Sequence, residues 1–462
     1  MPKVLMVTPY WPPINKVGVW RVLRAARYLP DHGWTPVICT PRPEQVYKTP
    51  PLYDDSFKTP NVDVIQPSTF IPSMATARAF AKPNQWLDEI ESTASSAHSR
   101  PRRFVSRIAQ LMDRGSFRAI AELLLPDQFV EWGWQVARQL KRRSDLDDID
   151  VVWTTGGPFG LFVAGVLIAQ ALNKPLVLDY RDPWTTHRQP RTWWIAPPQR
   201  AFRAIEAWAL SKASGVGYIH QEAMMANRAT FGQPRDSMWS VIPNSFDPID
   251  LGDLPPRSLS EECGAPALVY AGNFYEARSA RPVIQGLIDL EQSPESEGFP
   301  LTIHIFGQLD PPARDLLRDH PLPERRLKCY ERHSAAEIGA IMRGADGLLL
   351  LIGDQHGHRM ALSGKLWDYL AAGSPIIGIG PERAAAQSLI LDHQLGVWAN
   401  TDDREGILDI FKTLSRGELS RPQTRDQSTF HARQMSASIA ELLNHAIHHQ
   451  PTRSSTAHRS SH

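Results

Sequence analysis

Apolar residues along the chain fall into short continuous runs separated by turn-forming residues. Lys3–Thr8, Val151–Thr154, Ala267–Ala271 and Leu348–Ile352 are examples. A run of this kind predicts a strand that is covered on both faces, as in a parallel sheet. The segments between the runs place apolar residues three and four positions apart, which predicts amphipathic helices. The alternation of these patterns predicts an α/β fold with doubly wound parallel sheets.

The segment Asp346–Gly380 contains both patterns, joined by a glycine-marked loop. We predict a strand at Leu348–Ile352 and a loop at Gly353–Leu362. Ser363 can cap a helix that begins near Gly364, because its hydroxyl can accept from a backbone N–H of the first turn. The segment therefore predicts a strand, a loop and a helix in that order.

A loop that enters a helix at the carboxyl end of a parallel strand favours phosphate binding. The free N–H groups and the helix dipole both attract anions there. Lys365 adds a positive charge in the first turn, and Asp368 can accept hydrogen bonds from a sugar diol. We interpret this segment as a phosphate-plus-sugar subsite.

The N-terminal strand leads into a second loop of the same kind. Pro9–Pro13 cannot continue the sheet, because proline lacks the N–H donor. The loop reaches Gly18, and a helix is predicted at Val19–Leu29. Asn15 and Gly18 would permit close approach of a ligand, but a simple tight turn fits the same residues.

Three charged residues, Asp179, Arg181 and Asp182, follow the predicted strand Pro175–Leu178. They either pair with one another and brace the loop, or they orient a polyhydroxyl substrate. The residues alone leave both interpretations open.

The length of 462 residues predicts two to three domains. Residues 249–264 are rich in Pro, Asp, Ser and Glu, which is typical of a linker. The predicted organisation is a first domain at 1–248 with a less ordered helical insertion at about 70–128, a linker at 249–264, a second domain at 265–428, a terminal helix at 429–448 and a disordered tail at 449–462.

The formal net charge of +1 argues against a dedicated nucleic-acid-binding protein. Cys39, Cys263 and Cys329 are far apart, so neither a disulfide framework nor a zinc site is predicted. The N-terminus enters a strand directly, and no apolar run is long enough for a transmembrane helix. These features predict a cytoplasmic protein.

A predicted helix at Phe104–Leu125 carries an apolar face flanked by arginines. Such a helix can lie on anionic lipid at the inner face of a membrane. It can equally pack on its own domain with a solvated basic face. Peripheral membrane contact is therefore one of two open interpretations.

Several segments in this order resemble glycosyltransferase family 4. In one-letter code they are VLMVTPYWPP and KVGVWR, LNKPLVLDYRDPW, VIPNSFDP, VYAGNFYEARS, and SGKLWDYLAAGSPIIGIG. The match runs from Met1 to about His448, apart from roughly 70–128, and is similar to bacterial members that build surface polysaccharides. It implies a GT-B architecture, with two Rossmann-like domains facing each other across a cleft. It also implies transfer of a hexosyl group from a nucleotide sugar to an acceptor hydroxyl, with retention of anomeric configuration.

The resemblance assigns roles to residues on the donor side. Val17 and Gly18 would face the donor diphosphate, and Arg278 and Lys365 would bind its phosphates. Asp368 stands where the family has the second Glu of an acidic pair, which holds the ribose.

One position departs from the family pattern. Met360 stands where the family has the first Glu, which positions the donor sugar. Backbone N–H groups of Ala361–Gly364, including those of Ser363 and Gly364, remain as possible contacts to the sugar or phosphate.

The acceptor lies on the N-terminal domain in this family, so Asp179, Arg181 and Asp182 are assigned to positioning it. The implied partners are a nucleotide-sugar donor and a glycan or lipid-linked acceptor, without a metal or other cofactor. Two alternatives are a nucleotide-sugar epimerase or hydrolase of GT-B shape and a catalytically weak sugar-nucleotide-binding protein. The donor base, the sugar, the acceptor and the oligomeric state stay open.

Overall fold

The computed structural model describes residues 1–14, 16, 18–46, 58–69, 127–186, 196–234, 236–275, 278–331, 333–354, 362–422 and 428–449. The predicted basic helix, Phe104–Leu125, lies outside these residues, as do Val17 and Met360. The chain divides into two compact units. The first comprises residues 1–53, 59–243 and 435–462, and the second comprises residues 54–58 and 244–434.

The first unit is built on a seven-stranded sheet in the order β3-β2-β1-β4-β5-β6-β7. All neighbouring strands in it are parallel. The strands are β1 Lys3–Val7, β2 Thr35–Cys39, β3 Asp63–Ile65, β4 Ile149–Gly156, β5 Leu176–Tyr180, β6 Gly215–Tyr218 and β7 Met238–Val241.

Helices cover both faces of this sheet, so the central strands are buried almost throughout. Those that precede residue 244 are α1 Gly18–Tyr28, α2 Pro43–Val46, α3 Phe129–Leu140, α4 Gly160–Leu172, α5 Ala196–Lys212 and α6 Gln221–Phe231. Helix α4 is apolar on nearly all sides because it packs between the sheet and α3. Gly133 of α3 allows the close approach, since a Cβ there would lie 2.2 Å from the Cβ of Ala164.

The second unit is built on a six-stranded parallel sheet in the order β10-β9-β8-β11-β12-β13. The strands are β8 Ala267–Ala271, β9 Thr302–Phe306, β10 Leu327–Tyr330, β11 Gly347–Leu351, β12 Ile376–Gly380 and β13 Gly396–Asn400. The helices are α7 Leu259–Cys263, α8 Arg281–Gln292, α9 Pro311–Asp319, α10 Ala335–Gly344, α11 Gly364–Ala372, α12 Ala385–Asp392 and α13 Arg404–Ser415. The predicted α/β class with parallel sheets is confirmed.

Each sheet reverses its strand order once, and ligands of open α/β sheets bind at such a point. In the first unit the reversal lies between β1 and β4, and in the second between β8 and β11. The loops that leave these strands diverge and open a crevice at the carboxyl edge of the sheet. The loops to Gly18 and Lys365 both start at these edges.

Some elements differ from the sequence prediction. Strand β5 extends through Asp179 and Tyr180, whereas the sequence predicts that this strand ends at Leu178. Helix α9 begins with Pro311 and Pro312, which look like helix breakers but are favourable in a first helical turn. The sequence pattern predicts no helix there or at Ala385–Asp392.

The segment 249–264, predicted as a linker, contains structure of its own in the second unit. A 3-10 helix at Pro248–Leu251 and α7 both belong to it. Leu251 and Leu259 are 6% and 3% exposed, and both belong to the apolar core of the second unit. Leu251 and Leu259 therefore anchor this segment to the core, whereas Ile249 and Leu254 are exposed.

The last described helix is α14, Ala432–His448. From Met435 onward it belongs to the first unit. Its apolar face joins the same core as β1, β4 and α1, through Met435, Ile439, Ala440, Leu442, Leu443 and Ala446. The C-terminal segment therefore completes the unit in which the chain began.

Candidate functional site

Lys365 lies in the first turn of α11, at the carboxyl edge of the second sheet. Its ammonium group donates a hydrogen bond to the carbonyl oxygen of Ala271, the last residue of β8. The Nζ atom also lies 4.1 Å from the centre of the Tyr270 ring, within the range of a cation–π contact. These contacts hold the positive charge at the strand reversal.

Gly272 makes room for this ammonium group. A Cβ atom at this position would lie 2.0 Å from Lys365 Nζ. Its backbone has a φ of +130°, which side-chain-bearing residues rarely adopt. Glycine is therefore required here for conformation and for space.

Arg278 adds a second cation to the site. Its Nη1 atom lies 3.4 Å from the hydroxyl oxygen of Ser363, the residue just before α11. Its Nε atom is buried and has no hydrogen-bond partner within the described residues. Ser363 is 5% exposed, and its side chain does not cap α11. Arg278 and Ser363 thus place polar groups at the N-terminus of α11, and neither a hydrogen bond from the Arg278 Nε atom nor a cap of the helix accounts for them within the described part of the fold.

The two cations affect each other. Burial, followed by the positive charge of Arg278, lowers the pKa of Lys365 to about 8, whereas Asp368 acts in the opposite direction. A buried ammonium beside a guanidinium and a helix N-terminus is electrostatically unfavourable without an anion. Arg278, Ser363, Gly364 and Lys365 therefore form a group suited to bind phosphate, which we call the α11 anion site.

The first unit has a second cationic group, at the start of α1. The guanidinium of Arg181 packs against Gly18, where a Cβ would lie 1.8 Å from its Nη1 atom. It also lies 4.6 Å from the centre of the Tyr10 ring. Arg181 Nη2 and Tyr10 Oη both donate to the carbonyl oxygen of Gly157, at 2.7 and 2.6 Å.

Arg181 Nη1 is buried and makes no hydrogen bond in the part of the chain that the structure describes. The structure thus brings Gly18 and Arg181 together, with Tyr10 and Gly157 as their supports. Asp182 stays near them, with a carboxylate oxygen 3.7 Å from Arg181 Nε and a side chain that is 62% exposed.

Asp179 is placed differently from Arg181 and Asp182. It is 1% exposed, and its two carboxylate oxygens accept from Arg21 Nε and Nη2 at 2.8 and 2.6 Å. Arg21 also donates to the carbonyl oxygens of Ile242 and Pro243, both at 3.0 Å. Asp179 therefore braces α1 against the end of β5 instead of facing a ligand. The sequence allows Asp179 to pair with Arg181 within the same segment, but in the structure Asp179 pairs with Arg21.

Glu206 holds the loop that carries Arg181 and Asp182 through hydrogen bonds to residues on both sides of these two. This carboxylate is fully buried and accepts from the backbone N–H and the hydroxyl of Thr185, at 3.1 and 2.5 Å. Tyr180 Oη and Asn227 Nδ2 donate to its other oxygen, at 3.0 and 3.3 Å. Burial raises the pKa of Glu206, and these hydrogen bonds oppose the shift.

Sequence reasoning found the charged members of both groups but missed their supports. Tyr10, Arg21 and Tyr270 carry no signal that separates them from ordinary core or turn residues. Gly272 alone had a hint, because it directly follows a predicted strand. The positions of Val17 and Met360 lie outside the described residues, so their predicted roles stay predictions.

The described residues offer neither a metal site nor a helix that could span a membrane. They contain no group of three or more His, Cys, Asp or Glu side chains arranged to hold a metal ion. Among the helices in the described ranges, none combines the length and apolar character needed to cross a bilayer.

Solved structures match the chain over nearly its full length. Sucrose-phosphate synthase from Thermosynechococcus elongatus is 12% identical with a TM-score of 0.56, covering 96% of this chain and 98% of that one. An alpha,alpha-trehalose-phosphate synthase (UDP-forming) from Burkholderia xenovorans, in complex with glucose-6-phosphate, is 12% identical with a TM-score of 0.55, covering 96% and 98%. HepE from Anabaena in complex with UDP-glucose is 13% identical with a TM-score of 0.51, covering 96% and 99%.

No protein-family model matches the chain, and no curated protein matches it. At identities this low, the structural matches concern the fold and not the substrates. Two parallel-sheet α/β units and near-complete coverage by glycosyltransferase structures confirm the predicted GT-B fold.

Proposed function

We propose that the protein is a glycosyltransferase that uses a nucleotide-sugar donor. The observation that carries this proposal is the α11 anion site, where two cations and a helix N-terminus converge at a strand reversal. Arg278 Nε has no hydrogen-bond partner among the described residues, and Lys365 has a pKa of about 8. The fold supports the proposal, because the similar structures include complexes with UDP-glucose and glucose-6-phosphate.

In this reaction the bond between the anomeric carbon and the donor diphosphate breaks. Negative charge accumulates on the departing phosphate oxygens, and cations fixed beforehand stabilise that charge. We assign Arg278 and Lys365 to the diphosphate, together with the N–H groups that start at Gly364. Ser363 lies beside Arg278 and would complete the phosphate contacts, and Asp368 would hold the ribose hydroxyls.

Binding of nucleoside diphosphates tests the donor assignment. We expect at least one of UDP, GDP, ADP and dTDP to bind in calorimetry. Arg278→Ala and Lys365→Ala should each lower the affinity for that nucleotide at least about tenfold. Arg318→Ala is the control, because this arginine is 73% exposed and pairs with Asp315. Unchanged affinity in both site variants would refute the donor site.

The acceptor is assigned to the first unit. We propose that Arg181 and Asp182 position its hydroxyl groups, beside Gly18. The guanidinium is held by Gly157 and Tyr10 and retains a buried N–H without a partner in the described ranges. The Asp182 carboxylate is 62% exposed and can accept hydrogen bonds from a sugar. Asp179 has no direct role in this proposal.

Acceptor kinetics test this assignment. Asp182→Asn and Arg181→Lys should raise the KM for the acceptor several-fold while the affinity for the nucleoside diphosphate stays the same. Asp148→Asn is a suitable control, because this exposed aspartate pairs with Lys3 near the amino end of the first sheet. Turnover of the donor without any acceptor would instead favour an epimerase or hydrolase.

The finer parts of the proposal rest on the sequence resemblance. They are the use of a hexosyl donor, retention of anomeric configuration, a glycan or lipid-linked acceptor in surface polysaccharide synthesis, and a reaction without a metal or other cofactor. Product analysis by NMR would establish the anomeric configuration. A search for metal-dependent activity with chelator and added Mg²⁺ would test the last of these predictions.

We propose that the protein contacts an anionic membrane peripherally, and exposed residues of α3 support this proposal. Trp134 is 52% exposed, and the guanidinium of Arg138 lies 4.6 Å from the centre of its ring. Lys141 and Arg142 are exposed just beyond the helix. An exposed tryptophan among cations is typical of an interfacial contact. Sedimentation with vesicles containing phosphatidylserine should fall for Trp134→Ala, and equal sedimentation would refute the contact.

A further inference from the structure

Asp310 directly precedes α9, yet its side chain does not cap that helix. It is 1% exposed, and its carboxylate points to the loop after β8 instead. One oxygen accepts from the backbone N–H of Ala280 at 2.9 Å, and the other accepts from the hydroxyl of Ser279 at 2.6 Å. An aspartate at this position normally bonds its own first turn, so its use across two loops needs a reason.

The carboxylate of Asp310 organises the start of α8. Ala280 stands at the N-cap position of α8, and no side-chain cap is formed there. Ser279 supplies the missing group, because its hydroxyl oxygen accepts from the backbone N–H of Arg281 at 3.1 Å. The same hydroxyl donates to Asp310, so the carboxylate fixes both the hydroxyl and the backbone.

This loop carries Arg278 of the α11 anion site. Arg278 directly precedes Ser279, and its backbone N–H donates to the carbonyl oxygen of Tyr275 at 2.6 Å. Its side chain then reaches Ser363, with Nη1 3.4 Å from the hydroxyl oxygen. The direction of the guanidinium therefore depends on the backbone that Asp310 holds.

A second contact ties the same two loops together. The side-chain oxygen of Asn273 accepts from the backbone N–H of Gln308 at 3.1 Å, and Phe274 N donates to the carbonyl oxygen of Gln308 at 2.9 Å. Asp310 and Asn273 thus hold the loop after β8 at both ends of the segment that contains Arg278. Backbone that is held in this way beside Arg278 does not have to be ordered when a ligand binds.

We infer that Asp310 is a positioning residue for the donor diphosphate, acting through Arg278. This inference rests on the proposed function of the α11 anion site. Loss of the carboxylate releases the N–H of Ala280 and the hydroxyl of Ser279, so Arg278 samples more orientations. Binding of a diphosphate then has to restore the productive orientation, which weakens affinity.

A purely structural role, as a cap of α8, makes a different prediction. In that case a variant lowers stability but leaves the affinity of the folded protein unchanged, whether or not Arg278 is present. A double-mutant cycle separates the two, because residues that act through each other are not additive.

The experiment measures the affinity of inorganic pyrophosphate, which probes the diphosphate contacts without a base. We expect Asp310→Ala to lower the affinity for pyrophosphate about fivefold or more. In a protein that already carries Arg278→Ala, the same substitution should change this affinity less than about twofold. Asp346→Ala is the matched control, because Asp346 accepts from the backbone N–H of Ala267 at 2.8 Å, at the amino end of β8. Asp310→Asn should recover most of the affinity, since an amide can still accept from Ala280 and donate to Ser279.

Ser279→Ala provides a second variant should Asp310→Ala fold poorly. It removes one of the two contacts and should give a smaller loss of affinity with the same dependence on Arg278. Equal affinities for Asp310→Ala, Ser279→Ala and the Asp346 control would overturn this inference alone, provided that Arg278→Ala weakens binding. Unchanged affinity in Arg278→Ala itself would overturn the donor site as well.

Discussion

At the scale of single residues, the α11 anion site depends on charges that the fold holds at an energetic cost. Lys365 is largely buried, with Arg278 nearby, and its pKa is lowered to about 8. A lysine whose pKa lies below its usual value destabilises the folded protein wherever its side chain is still protonated. Ligand binding offsets this cost, because an anion favours the protonated form.

The affinity for a nucleoside diphosphate should therefore depend on pH. The free protein loses the Lys365 proton as the pH rises through about 8, whereas the ligand keeps its charge, since the last phosphate pKa is about 6. We expect affinity to fall by up to about tenfold per unit between pH 8 and the higher pKa of the complex. Calorimetry from pH 7 to 10 measures this. Lys365→Arg should give a nearly flat profile, because arginine keeps its charge, and a parallel decline in that variant would contradict the assignment.

The same residue predicts a gain in stability when its charge is removed. Lys365→Met keeps the length of the side chain and removes the buried charge, so the free energy of unfolding should rise by about 1–3 kcal/mol at pH 7. The gain should shrink from pH 8 to 10.5, where the folded wild-type protein has lost the proton and the unfolded chain still holds it. Urea denaturation at several pH values measures it. A gain that is independent of pH would show that the charge is not its cause.

At the scale of elements, glycines at strand ends and helix starts decide where the cations lie. Gly272 directly follows β8 and has a positive φ, and Gly18 begins α1 against Arg181. In each case a side chain would occupy the place of a charged group. Both glycines were visible in the sequence, but the charged group that each one accommodates was not.

Gly272→Ala should displace the ammonium group of Lys365. The new methyl group would lie 2.0 Å from Nζ, and the positive φ adds strain of about 1–3 kcal/mol. We expect weaker diphosphate binding and loss of its pH dependence above pH 8. Gly264→Ala is the control, since it also has a positive φ of +69° but nothing lies within 4 Å of its Cβ position. Equal binding by both variants would show that Gly272 serves only the turn.

The contact between α1 and β5 depends on the Arg21–Asp179 pair. Their side chains are 2% and 1% exposed. Asp179→Asn leaves a buried guanidinium without its counter-charge, so the free energy of unfolding of the first unit should fall by about 3–5 kcal/mol. Asp145→Asn, in an exposed pair with Arg143, should change stability little. An Asp179→Asn protein of normal stability with altered acceptor KM would instead restore the acceptor role.

At the scale of the whole molecule, the chain returns to its first unit at the end. Helix α14 places Ile439, Leu442 and Leu443 in the core of that unit at 1% exposure or less. The first unit is therefore incomplete until the C-terminal segment has been made. Folding of this unit depends on residues that are more than 400 positions apart in the sequence.

Removal of α14 should unfold the first unit. Each buried apolar side chain contributes about 1.5–3 kcal/mol, so six of them approach the total stability of a domain. A chain that ends at His431 should lose cooperative unfolding of this unit in calorimetry, whereas a chain that ends at His449 should keep it. A truncated chain with two intact unfolding transitions would contradict this prediction.

The sequence by itself determined the class of fold and most of the charged residues. Apolar runs and helical spacing depend on burial that is local to each element, so the strand Ala267–Ala271 and the helix predicted at Val19–Leu29 agree with the structure within a few residues. Lys365, Arg181 and Gly18 are candidates because their chemistry and their place after strands are visible in a single chain, whereas Arg278 is a candidate through the resemblance. The GT-B fold followed from the resemblance and was confirmed by the structural matches.

Only the tertiary structure decided the partners of these residues. Asp179 pairs with Arg21, 158 positions away, and Asp310 holds Ala280 across two loops. Such pairs form where the sheet order brings distant strand ends together, and no local pattern encodes that distance. The lowered pKa of Lys365 has the same origin, because burial and the charge of Arg278 arise only when β8 and α11 meet.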